Sequence, residues 1–139
     1  MSLQDKINSV SSFKDSLGEN LIGIEKEGLR VAKDGSIAQT SHPESFGSAL
    51  THPEITTDFS EALVEIVTRP TKGASNVIDE LSKINHYINF HLGSNERFWP
   101  ASMPCILRGK TNIPIAYYGE SNLGKMKTVY RRGLANRYG

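Results

Sequence analysis

The stretch LIGIEKEGLRV, residues 21–31, decides how the chain folds. Ile22 and Ile24 alternate with other residues, and β-branched side chains favour a pleated surface, so the stretch is predicted as a strand. Residues two apart share one face of a strand. Glu25 and Glu27 therefore stand side by side, with Ile22 and Ile24 on the opposite face. Two carboxylates at that spacing repel unless water or a cation separates them. Two readings follow from the spacing alone. One is a solvated outer face; the other is a site for a hard cation such as Mg2+, which takes carboxylate oxygens.

Asp34-Gly35 is a strong two-residue turn, so Ser36–Thr40 is expected to return antiparallel to this strand. Ser41, Pro43 and Glu44 have the spacing of a capping box, which predicts a short helix to about Leu50. A second strand is expected over Ala62–Thr68, closed by Pro70. Its Glu61, Leu63, Glu65 and Val67 share one face, and Ala62, Val64 and Ile66 share the other. Glu65 thus has apolar neighbours along its own face, a setting that favours a paired or metal-bound carboxylate. Asp58 lies just before this strand, where the chain changes direction.

Upstream, Ile7, Val10, Phe13 and Leu17 predict an amphipathic helix within residues 1–20, ended by Gly18–Asn20. Downstream, Ser75 is expected to cap the clearest helix, with Val77, Ile78, Leu81, Ile84, Ile88 and Leu92 as its stripe and Gly93 as its stop. His86 and His91 are five apart and share no ligand face. Residues 95–104 are expected to be an ordered loop. Residues 113–118, IPIAYY, predict a short edge strand, and Ser121 can cap a last helix to about Asn136, with Lys127 and Arg131 as i,i+4 neighbours. Hairpins together with helices give an α+β fold, an antiparallel sheet with flanking helices.

The bulk numbers agree with one domain. A chain of 139 residues with 37% apolar and 22% charged side chains can bury one core. No apolar run approaches membrane-spanning length, and the polar start carries no signal-peptide core. Cys105 is the only cysteine, which fits a reducing, cytoplasmic setting and a structural thiol. The net charge of +1 hides an asymmetry: residues 1–100 hold nine Lys/Arg and fourteen Asp/Glu, while residues 101–139 hold seven Lys/Arg and one acid, Glu120.

Three constellations could carry chemistry. Gly119–Lys125 has the spacing of a phosphate-binding loop, but Met126 stands where that motif needs Ser or Thr, and hairpins replace its parallel-sheet setting. A glycine turn ahead of a capped helix explains it as well. The basic tail interleaves Tyr130 and Tyr138 with Lys and Arg, a mixture that can bind nucleic acid or simply cover a helix with snorkelling side chains. No recognised nucleic-acid motif supports the former. The third set is Glu25, Glu27, Asp58 and Glu65, which neighbouring strands about 4.8 Å apart could gather around divalent ions.

Four blocks, taken together and in order, carry a resemblance: IEKEGLRV with Asp34-Gly35, then SHPESFGSALTHPEITTDFSEALVEIVT, then ERFWPASMPC, then YGESNLGKMKTVYRRGLANRYG. Over about residues 20–139 the chain resembles the amino-terminal part of bacterial glutamate–cysteine ligase. The resemblance implies an incomplete part of a glutamine synthetase-like catalytic core, residues 1–139 forming a single partial domain. It implies Mg2+ (or Mn2+) on Glu25, Glu27, Asp58 and Glu65, and Phe59 and Tyr130 near the cysteine substrate. It further places Arg131 towards the transferred phosphoryl group. The implied reaction joins the γ-carboxylate of glutamate to cysteine with ATP as co-substrate, through a γ-glutamyl phosphate. Members of that family are several times longer. Small molecules are therefore the expected ligands, and a missing carboxyl-terminal half the expected protein partner, with no nucleic acid and no membrane. The alternatives are a non-catalytic assembly module or half of a split ligase, pairing through an exposed sheet edge.

Overall fold

The computed structural model describes residues 1–14, 20–108 and 112–138. Glu25–Ala32 forms the central strand, here β2, with β1 a two-residue strand at Leu21–Ile22. The predicted single strand is therefore interrupted at Gly23-Ile24. Ile24 still pairs with Thr68, its N–H donating to Thr68 Oγ1 at 2.8 Å and its carbonyl accepting from Thr68 N–H at 2.9 Å. Pro70 follows without an N–H to donate, so β1 pairs instead with β5, Thr71–Lys72, in a separate two-stranded sheet.

The main sheet has four strands in the order β3-β4-β2-β6, all antiparallel, where β3 is Ile55–Thr56, β4 is Leu63–Val67 and β6 is Glu96–Phe98. The register pairs Glu27 with Glu65 and Gly28 with Val64. β6 falls inside the stretch expected to be a loop. Its three residues pair with Arg30–Ala32, and backbone pairing along β2 outweighs the proline punctuation that follows. The Asp34-Gly35 turn forms as predicted, with Gly35 at φ 79°, but the return strand is a single Val31–Ile37 bridge. Likewise 113–118 makes one bridge, Ser60–Ile115, rather than a strand.

One long helix covers one face of this sheet. It is α2, Ala74–Leu92, and α1 is Leu3–Ser11. Val77, Ile84 and Ile88 of α2 are buried, and the latter two pack with Val64, Ile66, Ile55, Phe46 and Phe98. Each such side chain contributes about 1.5–3 kcal/mol on leaving water. Ile78, expected on the stripe, is half exposed because it points off the Val77–Leu81–Ile84–Ile88 line. The helix begins after Gly73 (φ 80°), not at a Ser75 cap, and ends at Gly93 (φ 63°) as expected.

Two further expectations change. The capped helix after Ser41 is only a 3-10 turn, Glu44–Phe46, without a side-chain cap; Gly47 at φ 76° ends it. α1 is capped by Ser2 and Asp5, yet none of its residues is buried. Leu17 and the expected stop at Gly18 lie outside the described residues. Cys105 is buried, as a structural thiol should be. Among the described residues no helix is long and apolar enough to cross a membrane.

Candidate functional site

The face of the sheet away from α2 carries the acidic residues. Alternation along β2 and β4 puts Glu25, Glu27, Leu29, Leu63, Glu65 and Val67 on that face. Arg30 N–H donates to Ala62 carbonyl at 2.7 Å, and Thr68 N–H to Ile24 carbonyl at 2.9 Å. Hydrogen-bonded pairs thus fall at even positions of β2, and Glu27 opposite Glu65 is a non-hydrogen-bonded pair. Such pairs bring Cα atoms to about 4.5 Å, the closest approach in an antiparallel ladder, and like charges there repel. Burial, then Glu27, then Glu25 push the Glu65 carboxyl above the usual range, against an opposing pull from Lys127. The structure therefore brings three of the four expected carboxylates onto one face.

The fourth is held differently. Asp58 makes an ion pair with Arg131, from the helix α3, Asn122–Tyr138. α3 is fixed over this face by the turn before β4. Ala116 N–H donates to Phe59 carbonyl at 3.0 Å, and Tyr118 Oη donates to Asp58 carbonyl at 2.6 Å. Glu61 is buried, and its two carboxylate oxygens accept from His42 N–H at 2.8 Å and Tyr117 N–H at 2.7 Å. The sequence placed Glu61 on the same face as Glu65. It serves instead as a clamp joining two loops, because β4 begins only after it. Ser121 Oγ accepts from Gly124 N–H, the expected cap of α3.

Lys127 joins the site without being among the residues expected there. Its Nζ lies 4.8 Å from the centre of the Tyr118 ring, and its charge reaches Glu65. The i,i+4 spacing to Arg131 is the available signal: two cations on one helix face meet Glu65 on the sheet face and Asp58 in the turn before β4. Burial, Glu65 and Glu61 push the Tyr118 hydroxyl up to about 12, so it stays protonated as a donor. Tyr130 is exposed beside the Arg131 guanidinium, 5.6 Å from ring centre to Cζ. Phe59 lines an apolar hollow of about 250 Å³ with Leu29, Leu63 and Cys105, next to the glutamates.

Among the described residues, no three His, Cys, Asp or Glu side chains are drawn together closely enough to hold an ion as they stand. The donor set nevertheless fits Mg2+, which keeps several waters and takes one or two carboxylates alongside substrate phosphates. The antiparallel sheet gives the Gly119–Lys125 loop none of the βαβ context of a nucleotide-binding P-loop. Its Gly124 is packed on the Tyr118 and Gly119 carbonyls instead.

A half-buried histidine sits behind the clamp. Among the described residues neither ring nitrogen of His42 has a partner, and the ring meets Phe46 edge-on at 5.6 Å. Burial and the Arg30 charge hold His42 below its ordinary 6.5, against a smaller opposing effect of Glu61, with His52 adding to the lowering. The unfolded chain then takes up this proton first. Stability is fully present above pH 6.5 and is lost as pH falls from there towards the folded value. His42→Phe is expected to remove that loss; urea midpoints at pH 7.5 and pH 5.5 for both proteins check it, and equal slopes would refute it.

The chain is similar to known proteins over nearly its whole length. A family model described as glutamate-cysteine ligase matches residues 6–139. A glutamate–cysteine ligase of Hahella chejuensis is 56% identical over 117 residues, which is 84% of this chain and 22% of that protein. One from Pseudomonas entomophila is 48% identical over 137 residues, 99% of this chain and 26% of that protein. The chain thus spans about a quarter of the length of the relatives it matches. The crystal structure of a Francisella tularensis glutamate–cysteine ligase in complex with AMP superposes with a TM-score of 0.81 at 42% identity, covering 86% of this chain and 24% of that one. A bifunctional glutathione synthetase from Pasteurella multocida gives 0.78 at 34% identity, covering 93% of this chain and 17% of that one. A match running through both acidic strands and into α3 leaves one conclusion: the chain belongs to the glutamate–cysteine ligase family.

Proposed function

We propose that this chain is the amino-terminal part of the catalytic domain of an ATP-dependent glutamate–cysteine ligase. The observation that carries the reading is the set of Glu25, Glu27 and Glu65 on one sheet face, with Arg131 fixed beside it by Asp58. In the proposed reaction a γ-carboxylate oxygen of glutamate attacks the γ-phosphorus of ATP, and ADP leaves. The cysteine amine then attacks the acyl carbon of the γ-glutamyl phosphate, loses a proton and expels inorganic phosphate, giving γ-glutamylcysteine. The AMP bound by the Francisella tularensis relative supports nucleotide use.

Glu25, Glu27 and Glu65 would hold Mg2+ or Mn2+, with Asp58, in the turn before β4 and paired with Arg131, as a fourth carboxylate nearby. The ion supplies charge neutralisation at phosphoryl oxygens. Arg131 presents a planar fork of donors suited to the same oxygens. Phe59, in its apolar hollow, and Tyr130 suit the small side chain of cysteine. The remaining walls of the site would come from the portion that the relatives carry beyond this match.

A segment exchange tests the reading. Residues 6–139 replace the matching segment of the Hahella chejuensis ligase, and ADP release is measured with glutamate, cysteine and Mg2+. The exchanged enzyme is expected to turn over only with both amino acids present. Glu65→Gln in it is expected to lower kcat on the order of 10²-fold, the scale on which lost transition-state stabilisers act. An inactive exchanged enzyme that folds, or an unchanged Glu65→Gln, would overturn the proposal. The isolated chain is expected to release no ADP. If it is half of a split ligase, pairing through the edge strands β3 or β6, mixing it with the separately expressed remainder restores turnover.

A further inference from the structure

The opposite face of β2 holds a second charged feature that the ligase reading leaves unused. Lys26 lies between Glu25 and Glu27 in sequence, but alternation sends it to the face covered by α2. Its Nζ stands 3.8 Å from the centre of the Phe98 ring. Among the described residues no carboxylate pairs with it. A ring face attracts an ammonium but accepts none of its three N–H donors in the way an oxygen does. Lys26 is only half exposed, so its charge sits partly dehydrated, with no acidic partner among the described residues.

The space beside it combines apolar walls with neutral hydrogen-bonding groups. A notch of about 390 Å³ lies between β2 and α2, lined by Lys26, Ser82, Asn85 and Asn89 with the apolar Leu81, Phe98 and Pro100, and with no acidic residue in its wall among the described residues. Ser82, Asn85 and Asn89 follow a spacing of three and four, which puts them on one face of the helix. The Asn89 amide donates to the Asn85 carbonyl at 2.8 Å. Among the described residues the Asn85 amide and the Ser82 hydroxyl have no such partner. One cation with uncharged N–H and O–H donors around it matches a single negative charge with planar oxygens. A phosphate, with more charge, is usually met by several cations.

We propose that the notch between Lys26 and the Ser82–Asn89 face of α2 binds a small carboxylate. The ammonium carries the charge and the Asn85 and Asn89 amides fix the oxygens. This site is separate from the glutamate face and stands whether or not the ligase reading holds.

Nuclear magnetic resonance on the full chain tests it, with sodium acetate titrated at constant ionic strength against sodium chloride. The Lys26 side-chain and Asn85 and Asn89 amide signals are expected to shift and saturate with acetate and not with chloride. Lys26→Met keeps the stem over Phe98 and is expected to weaken acetate binding about tenfold or more, as loss of a charge-assisted bond does. Asn85→Asp, on an accessible helix face, is expected to do the same by placing a like charge in the notch, and it carries the test if Lys26→Met fails to fold. Shifts that stay linear and equal for both salts, or saturation unchanged in the variants, would overturn the site. Tighter binding of inorganic phosphate than of acetate would overturn its assignment to carboxylates.

Discussion

Arg30→Ala is expected to cost about 3–5 kcal/mol of folding stability, the scale of breaking a buried ion pair from one side. Arg30 is fully buried, 0% exposed. Its Nη1 donates to Thr40 Oγ1 at 2.6 Å and Glu96 Oε2 at 2.8 Å. Its Nη2 donates to the carbonyls of Thr40 at 2.7 Å and Glu61 at 2.8 Å. One side chain thus ties β2 to β6, to the segment after the Asp34-Gly35 turn and to the clamp at Glu61. Alanine leaves the Glu96 carboxylate, 12% exposed, without its cation, and two carbonyls without donors. Arg30→Met with Glu96→Gln is expected to recover part of the loss, because no unpaired charge is left behind. Urea unfolding monitored through Trp99 measures both. A single variant within about 1 kcal/mol of the parent would show that water reaches this network and that the pair is worth no more than a surface one.

The second large effect is expected at Gly124, through the geometry of the site. A Cβ added there would lie 2.4 Å from the Tyr118 carbonyl oxygen and 2.5 Å from that of Gly119. Both are backbone atoms, so no rotamer change relieves the clash and the first turn of α3 must lift. Forced overpacking of this kind costs about 1–3 kcal/mol. The cost falls on one contact, so α3 is expected to swing away from the Asp58–Glu61 turn, separating Arg131 from Asp58 and Lys127 from Tyr118. Gly133→Ala is the control: nothing lies within 4 Å of its Cβ, and alanine there should stabilise the helix by about 1 kcal/mol or less. Amide exchange is expected to rise across residues 121–133 in Gly124→Ala alone, with Val64 and Ile66 still protected. In the exchanged ligase, the same variant should lower kcat with the parent metal affinity kept. Equal exchange in both glycine variants would mean that α3 is not anchored at that contact.

Local signals carried much of this. Alternation of Ile, Val and Glu marked β2 and β4 and sorted their faces, because side chains alternate with a period of two whatever the rest of the chain does. The stripe of α2 and its stop at Gly93 were equally legible. Caps and short elements were not. Ser41 and Glu44 have capping-box spacing, yet Glu61 takes the His42 N–H and Gly47 ends the turn. β6 looked like a loop because a three-residue strand has no pattern of its own; its pairing with Arg30–Ala32 makes it one.

By itself the sequence determined which residues are acidic on which strand and which face they share, and the resemblance of its four blocks to one family. Three relations were decided only by the tertiary structure. The register set Glu27 directly against Glu65 at a non-hydrogen-bonded position. The docking of α3 gave Asp58 to Arg131 rather than to the glutamates, and the Glu61 clamp held that docking in place. The physical reason is range. Periodicity and turn chemistry act within a few residues, whereas register and helix docking depend on backbone pairing and buried charge between segments tens of residues apart.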